Sequence, residues 1–147
     1  MSTPPKPDQH RQPVAPIPLV RVNALEPFVS FLNEIGAPVE RWLRQARVPV
    51  SLLDDPEALV PVFSAHRFVE LAARGERMED LGMVVGQRAS SFDRGDYGTV
   101  LQRCSTVYEF LMIGVRLIGE HNSGLRLWLK QEGKMIRVSQ HLAGPPG

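Results

Sequence analysis

At 147 residues, with 43% hydrophobic and 22% charged side chains, the chain has the size and composition of one globular domain. A formal net charge of +1 excludes the long-range positive field on which nonspecific nucleic-acid binding depends. A single cysteine, Cys104, excludes an internal disulfide and a cysteine-based zinc site. With no long apolar run, neither a secretory signal nor a membrane span is expected, and the reading is cytoplasmic.

Residues 1–19 read as a disordered leader, because six of the thirteen prolines fall in the first 18 residues and almost no large apolar side chain accompanies them. The first helix is predicted over 23–35. Leu25, Phe28, Val29, Leu32 and Ile35 share one face, Asn23 and Glu26 are spaced as a capping box, and Pro27 lies in the first turn. Gly36 ends it, and Pro38 opens a second helix to about Ala46 with Val39, Trp42 and Leu43 inward. Arg41, Arg44 and Arg47 raise the alternative of a helix-turn-helix that reads DNA. Leu32 stands one turn before the glycine, where close helix packing calls for a small side chain, so an ordinary solvated basic face is preferred.

Residues 47–63 are broken. Ser51 and Asp55 are expected to cap short turns, and Val60, Pro61 and Val62 to be extended. Asp54 and Asp55 lack further acidic ligands at metal spacing. A helix over 65–74 buries Phe68, Leu71 and Ala72 and exposes His66, Arg67 and Glu70. The next helix, opened by Glu79 or Asp80, carries Leu81, Val84 and Val85, with Gly82 and Gly86 one turn apart on a side that suits close approach by another segment. Residues 90–98 read as a loop anchored by Phe92 and Tyr97, and Cys104 as a small core residue.

Thr106 and Glu109 form the best capping box in the sequence and open a helix to about Glu120 that is apolar on nearly every side, hence central or in an interface. The period then changes to two. Leu125, Leu127 and Leu129 alternate with Arg126, Trp128 and Lys130, and Ile136 and Val138 alternate with Arg137 and Ser139. A loop at Glu132 and Gly133 would set Leu129 opposite Ile136, Leu127 opposite Val138 and Trp128 opposite Arg137, with His121 and His141 close together. No phosphate-binding loop, nucleophile elbow, zinc-protease helix or dinucleotide fingerprint is present, so no enzyme activity and no cofactor or metal is expected.

The runs IGAPVERWLRQARVP, LLDDPEALVPV, FVELAARGERMEDLGMVVGQRAS and HNSGLRLWL resemble, in order and spacing, the N-terminal arabinose-binding-like domain of AraC-type transcription regulators. The resemblance spans residues 20–142. It implies an effector-sensing, often dimer-forming domain that is normally followed by further strands and a DNA-binding pair of helix-turn-helix units.

The expected fold is therefore α+β and mainly helical, an N-terminal helical layer packed on a C-terminal β-hairpin that begins a truncated sheet, with 143–147 as a disordered tail. Trp128, Arg126, Arg137, His121 and Asn122 are the candidate ligand-binding residues. They are expected to line a pocket between helices and hairpin, where the arginines could pair a carboxylate. Val107, Phe110, Leu111, Leu117 and Ile118 are the candidate interface. The expected partners are a small-molecule effector and either a second copy or a full-length relative, with no DNA binding by this chain alone and no membrane. A dimerisation module without ligand is the competing reading.

Overall fold

The computed structural model describes residues 16–90 and 95–144. The chain enters as strand β1 (Leu19–Arg21), which pairs antiparallel with β2 (Leu59–Pro61), Val20 opposite Val60. Leu19, read from sequence as the end of the leader, is thus part of the fold, and the rest of that leader up to residue 15 lies outside the described residues. After β1 the backbone keeps tracking the β2 side of the chain: Val22 N donates to Ala58 O at 2.8 Å and Asn23 N to Pro56 O at 3.0 Å. This pairing draws Val22–Ala24 into a 3-10 turn ahead of helix α1 (Glu26–Glu34). The expected capping box of Asn23 and Glu26 does not form, because Asn23 is buried and its amide points to Glu57.

Helices α1, α2 (Val39–Gln45) and α3 (Val62–Gly75) all end in the same way. A residue in left-handed conformation comes after each, Gly36, Arg47 and Arg77, with φ of 73°, 60° and 55°. The next amide reaches back to a carbonyl five residues earlier: Ala37 to Leu32 at 2.9 Å, Val48 to Leu43 at 2.9 Å and Met78 to Ala73 at 2.8 Å. These are Schellman closures, in which otherwise orphaned carbonyls find donors. Arg47, considered as a DNA-reading residue, is the left-handed residue after the C-cap Ala46 of α2, and a second member of that basic trio, Arg41, lies over the Trp42 ring at 5.2 Å.

Between α2 and α3 the chain makes a 3-10 turn over Val50–Asp54. The Asp55 carboxylate accepts from Glu57 N at 3.1 Å, as expected of a capping residue, whereas Ser51 lies inside the turn. Val62, expected to be extended, is the first residue of α3, its amide held by Pro18 O at 2.9 Å. Helix α4 (Leu81–Arg88) comes next, tied to α1 by the Arg88–Glu34 ion pair at 2.9 Å and by Arg88 over the Phe31 ring. Leu81 and Val85 point inward, but Gly82 and Gly86 are exposed and a Cβ on either would meet nothing within 4 Å, so no segment among the described residues approaches that side closely.

The core consists of Leu32, Leu43, Val48, Val60, Val62, Phe68, Leu81 and neighbouring residues, all between Val20 and Val85. Residues 95–142 build a second layer beside it. Residues 95–98, read from sequence as part of a loop, are the first turn of helix α5 (Gly95–Gln102); Phe92 lies outside the described residues. Tyr97 Oη donates to Gly114 O at 3.2 Å across the contact of α5 with α6 (Val107–His121), where a Cβ on Gly114 would stand 3.3 Å from that hydroxyl. The capping box of α6 is fully formed, with Glu109 N donating to Thr106 Oγ1 at 3.1 Å and the Glu109 carboxylate accepting from Thr106 N at 3.3 Å and Ser105 N at 2.8 Å. Helix α6 is not central: Gly114, Ile118 and His121 are buried along one stripe while Val107, Tyr108 and Met112 are exposed. Cys104 is half-buried, its thiol 3.9 Å from Val100 O.

Strands β3 (Leu125–Glu132) and β4 (Met135–Leu142) form the hairpin that completes a mainly helical α+β fold. Its turn is Gly133–Lys134, two residues with glycine first at φ +63°, as a type II′ turn requires, so the register lies two positions from the expected one. Leu129 faces Val138, Leu127 faces Gln140 and Trp128 faces Ser139. A shift of two keeps every side chain on its expected face, but the Trp128–Arg137 pairing is lost. Arg137 stands opposite Lys130 and turns to Glu132, at 2.8 Å.

Candidate functional site

The two layers meet where α5 approaches Asn23 and Glu57 and, more tightly, where α6 ends. Val20 of β1 bridges to Asn122 at the end of α6, Leu19 N donates to Ser123 Oγ at 2.8 Å, and Ser123 N donates to Leu19 O at 2.8 Å. Gly124 is buried against Pro18 and Val62, where an added Cβ would lie 3.0 Å and 3.1 Å from their side chains. A larger residue would have to push these side chains aside, so glycine eases the close passage of the chain along the helical body before it turns into β3.

Two clefts open on either side of the segment 20–29. Successive residues of a helix face different ways. Val22, Asn23, Glu26 and Val29 therefore line one cleft, while Val20, Ala24, Leu25 and Phe28 line the other. The first, about 660 Å³, is completed by Leu53, Pro56, Gly95 and Thr99. The second, about 630 Å³, is completed by Val62, Ala65, Val69 and Ala73, by Gly82 and by Asn122, with His66, Glu70 and Glu79 as its polar members. The wall of the second is mainly short aliphatic side chains, which leaves room for an apolar guest. Glu70, one turn from His66, is paired with Arg74 at 2.9 Å. Among the described residues no cluster of three metal-ligating side chains occurs.

The five sequence-named ligand residues do not come together in either cleft. Asn122 lines the second and its carboxamide oxygen accepts from Gly124 N at 2.9 Å. His121 is 3% exposed and stacks on Tyr97 with ring centroids 5.3 Å apart, so it belongs to the α5–α6 contact. Arg126, Trp128 and Arg137 share the outer, exposed face of the hairpin. His141 also lies there, opposite Arg126, away from the buried ring of His121. Of the five interface candidates, Ile118 is buried, Val107 is 76% exposed, and Phe110, Leu111 and Leu117 are half-buried. Sequence reasoning misses the small residues Ala65, Ala73 and Gly82 that make room in the second cleft. The available signal is the run of small side chains across α3 and α4, which by itself reads only as core spacing.

A helical body with its own core, two appended helices and a hairpin, and a cleft at their junction define an α+β domain equipped to hold a small ligand. Residues 36–147 match the arabinose-binding domain of AraC transcription regulators, found at the N-terminal end of those proteins, and the chain belongs to that family. This is a regulatory ligand-binding family, not an enzyme family. No curated protein matches the chain closely enough to add to this. No helix among the described residues is long and apolar enough to cross a membrane. The match begins at Gly36, so β1, the first 3-10 turn and α1, which separate the two clefts, precede the matched stretch.

Proposed function

We propose that this chain is the effector-sensing domain of a cytoplasmic AraC-type regulator and that the effector sits in the cleft of about 630 Å³ between α1, α3 and α4. The observation that carries this reading is the position of Asn122. It lines the cleft and also caps the end of α6, three residues before β3, so a guest there touches both the helical body and the α6–hairpin unit. A ligand shifts a conformational balance only by binding one arrangement better than another, and a site spanning two layers has that property. The wall favours a largely aliphatic or aromatic molecule whose polar group reaches the edge near His66 and Asn122. Arg126, Trp128 and Arg137, on the outer hairpin face, make no contact with the guest in this assignment.

Pairing with a second copy is the companion proposal. Ile136, Val138 and Leu142 are 41%, 49% and 43% exposed and lie on the same hairpin face as the half-buried Leu125, Leu127 and Leu129. Together they form an apolar strip of the kind that interfaces cover, and Val107 and Met112 of α6 are exposed as well. This surface favours the second reading, an interaction module without ligand.

Amide NMR with a panel of medium-chain and aromatic carboxylic acids, alcohols and sugars tests both. A binder in the proposed cleft shifts Ala65, Val69, Ala73 and Asn122 together, and Gly82→Phe abolishes its binding, because the new side chain has open space to enter. Shifts confined to the outer hairpin face, or binding unchanged in Gly82→Phe, would overturn the cleft assignment. A stable dimer that no compound perturbs would favour the interaction module.

A further inference from the structure

The other cleft differs in chemistry. Asn23 lines it and is 5% exposed, its Nδ2 donates to Glu57 Oε1 at 3.4 Å, and its Oδ1 is buried with no hydrogen-bond partner. The amide cannot be turned over to relieve this, since Oδ1 would then face a carboxylate oxygen. Glu57 is neutralised by Arg21, whose guanidinium stands 2.8 Å from Oε2 and also donates to Glu57 O at 3.2 Å. Glu26, at the same cleft, is exposed and makes no ion pair among the described residues. Thr99 does not supply a spare donor, because its hydroxyl is directed to Gly95 O at 3.1 Å. Gly95 closes the site from α5, at φ +56°, where any Cβ would collide with the Glu57 carboxylate and the Asn23 amide.

One buried amide oxygen without a donor and one exposed carboxylate without an ion pair among the described residues, beside an apolar wall of Val22, Val29, Leu53 and Pro56, call for a guest that brings N–H groups and a positive charge on an apolar body. We propose that this cleft is a binding site for an organic ammonium ion, its head shared by Asn23 Oδ1 and the Glu26 carboxylate and its body against the valine and leucine side chains. It is separate from the proposed effector cleft and does not depend on it.

The test uses the full chain and three probes of one shape: 2-phenylethylammonium, 2-phenylethanol and phenylacetate, titrated by calorimetry and amide NMR. The ammonium ion is expected to bind and to shift Asn23, Glu26 and Gly95, with the alcohol weaker and the carboxylate absent. Glu26→Gln, an exposed change that leaves the fold intact, weakens the ammonium ion about tenfold, the loss of one charge-assisted contact. Gly82→Phe leaves that affinity unchanged. No binding of the ammonium ion, equal binding of the alcohol or carboxylate, or an affinity indifferent to Glu26→Gln overturns the proposal.

Discussion

The indole of Trp42 fills the space in which a side chain on Gly75 would stand: a Cβ built there falls within contact distance of three ring atoms, two of them far inside van der Waals separation. Helix α2 reaches α3 through this approach, so the last residue of α3 has to lack a side chain. Gly75→Ala is expected to destabilise the domain by about 1–3 kcal/mol, the usual cost of forcing extra volume against a rigid neighbour. Urea unfolding measures it. Trp42→Phe shortens the ring and removes an indole N–H that is buried without a partner, so the same glycine change should cost less in that background.

Two of the three Schellman closures place arginine where glycine is at ease. Arg47 and Arg77, at φ 60° and 55°, carry a Cβ in the left-handed region and are both exposed. Arg47→Gly and Arg77→Gly should each stabilise the domain by about 1 kcal/mol, because that conformation disfavours every residue with a Cβ. Gly36→Ala should do the reverse by a similar amount. Thermal unfolding of the three variants checks the signs, and a loss of stability in Arg47→Gly would show that its side chain holds the turn.

Much of this is legible in the letters, for reasons that differ by element. The capping box at Thr106 and Glu109 and the alternation of Leu125, Leu127 and Leu129 are local patterns, and they hold because the interactions that decide them lie within a few residues. Asn23 and Glu26 show the same spacing and fail, because residues 56–58 compete for that backbone and Glu57 for the Asn23 amide. Helix α5 reads as loop since Gly95 and Gly98 are turn formers in isolation. Gly98 is buried inside α5, and Gly95 starts the helix at φ +56° with the Glu57 carboxylate lying where a Cβ would stand. The hairpin faces are right and the partners wrong, because parity comes from the residue alternation while register comes from the turn, and glycine takes the first turn position. The clefts are out of reach for a different reason. They are made by residues far apart in the chain, such as Val22 with Thr99 and Ala24 with Asn122, whose nearness is a product of folding.

Ser123 clips the hairpin to the body. Its Oγ accepts from Leu19 N at 2.8 Å and stands 3.2 Å from Leu19 O as a donor, while its own amide reaches the same carbonyl. Ser123→Ala removes the side-chain half of this clip and leaves the Leu19 amide without that acceptor. A loss of about 0.5–1.5 kcal/mol is expected. The more telling readout is hydrogen exchange. The Leu19 amide should exchange faster, with the amides of Leu32 and Phe68 in the core changing only by the global loss.

At the first turn of α6, Thr106→Ala takes away the acceptor for Glu109 N, and Glu109→Ala takes away the carboxylate that accepts from Ser105 N and Thr106 N. Each change should cost about 1 kcal/mol, the usual worth of an N-cap. Because the two side chains serve different amides but close one reciprocal box, each holding the turn in which the other acts, the double variant should cost less than the two separate losses combined. The first turn is exposed and outside the core, so fraying at Val107 and Tyr108 should spread little beyond Gly114, where Tyr97 holds the helix by its carbonyl. Amide exchange along α6 in Thr106→Ala checks this: protection lost up to about Phe110 and kept at Ile118 is the expected pattern. Loss along the whole helix would mean that α6 depends on its cap more than on its packing against α5.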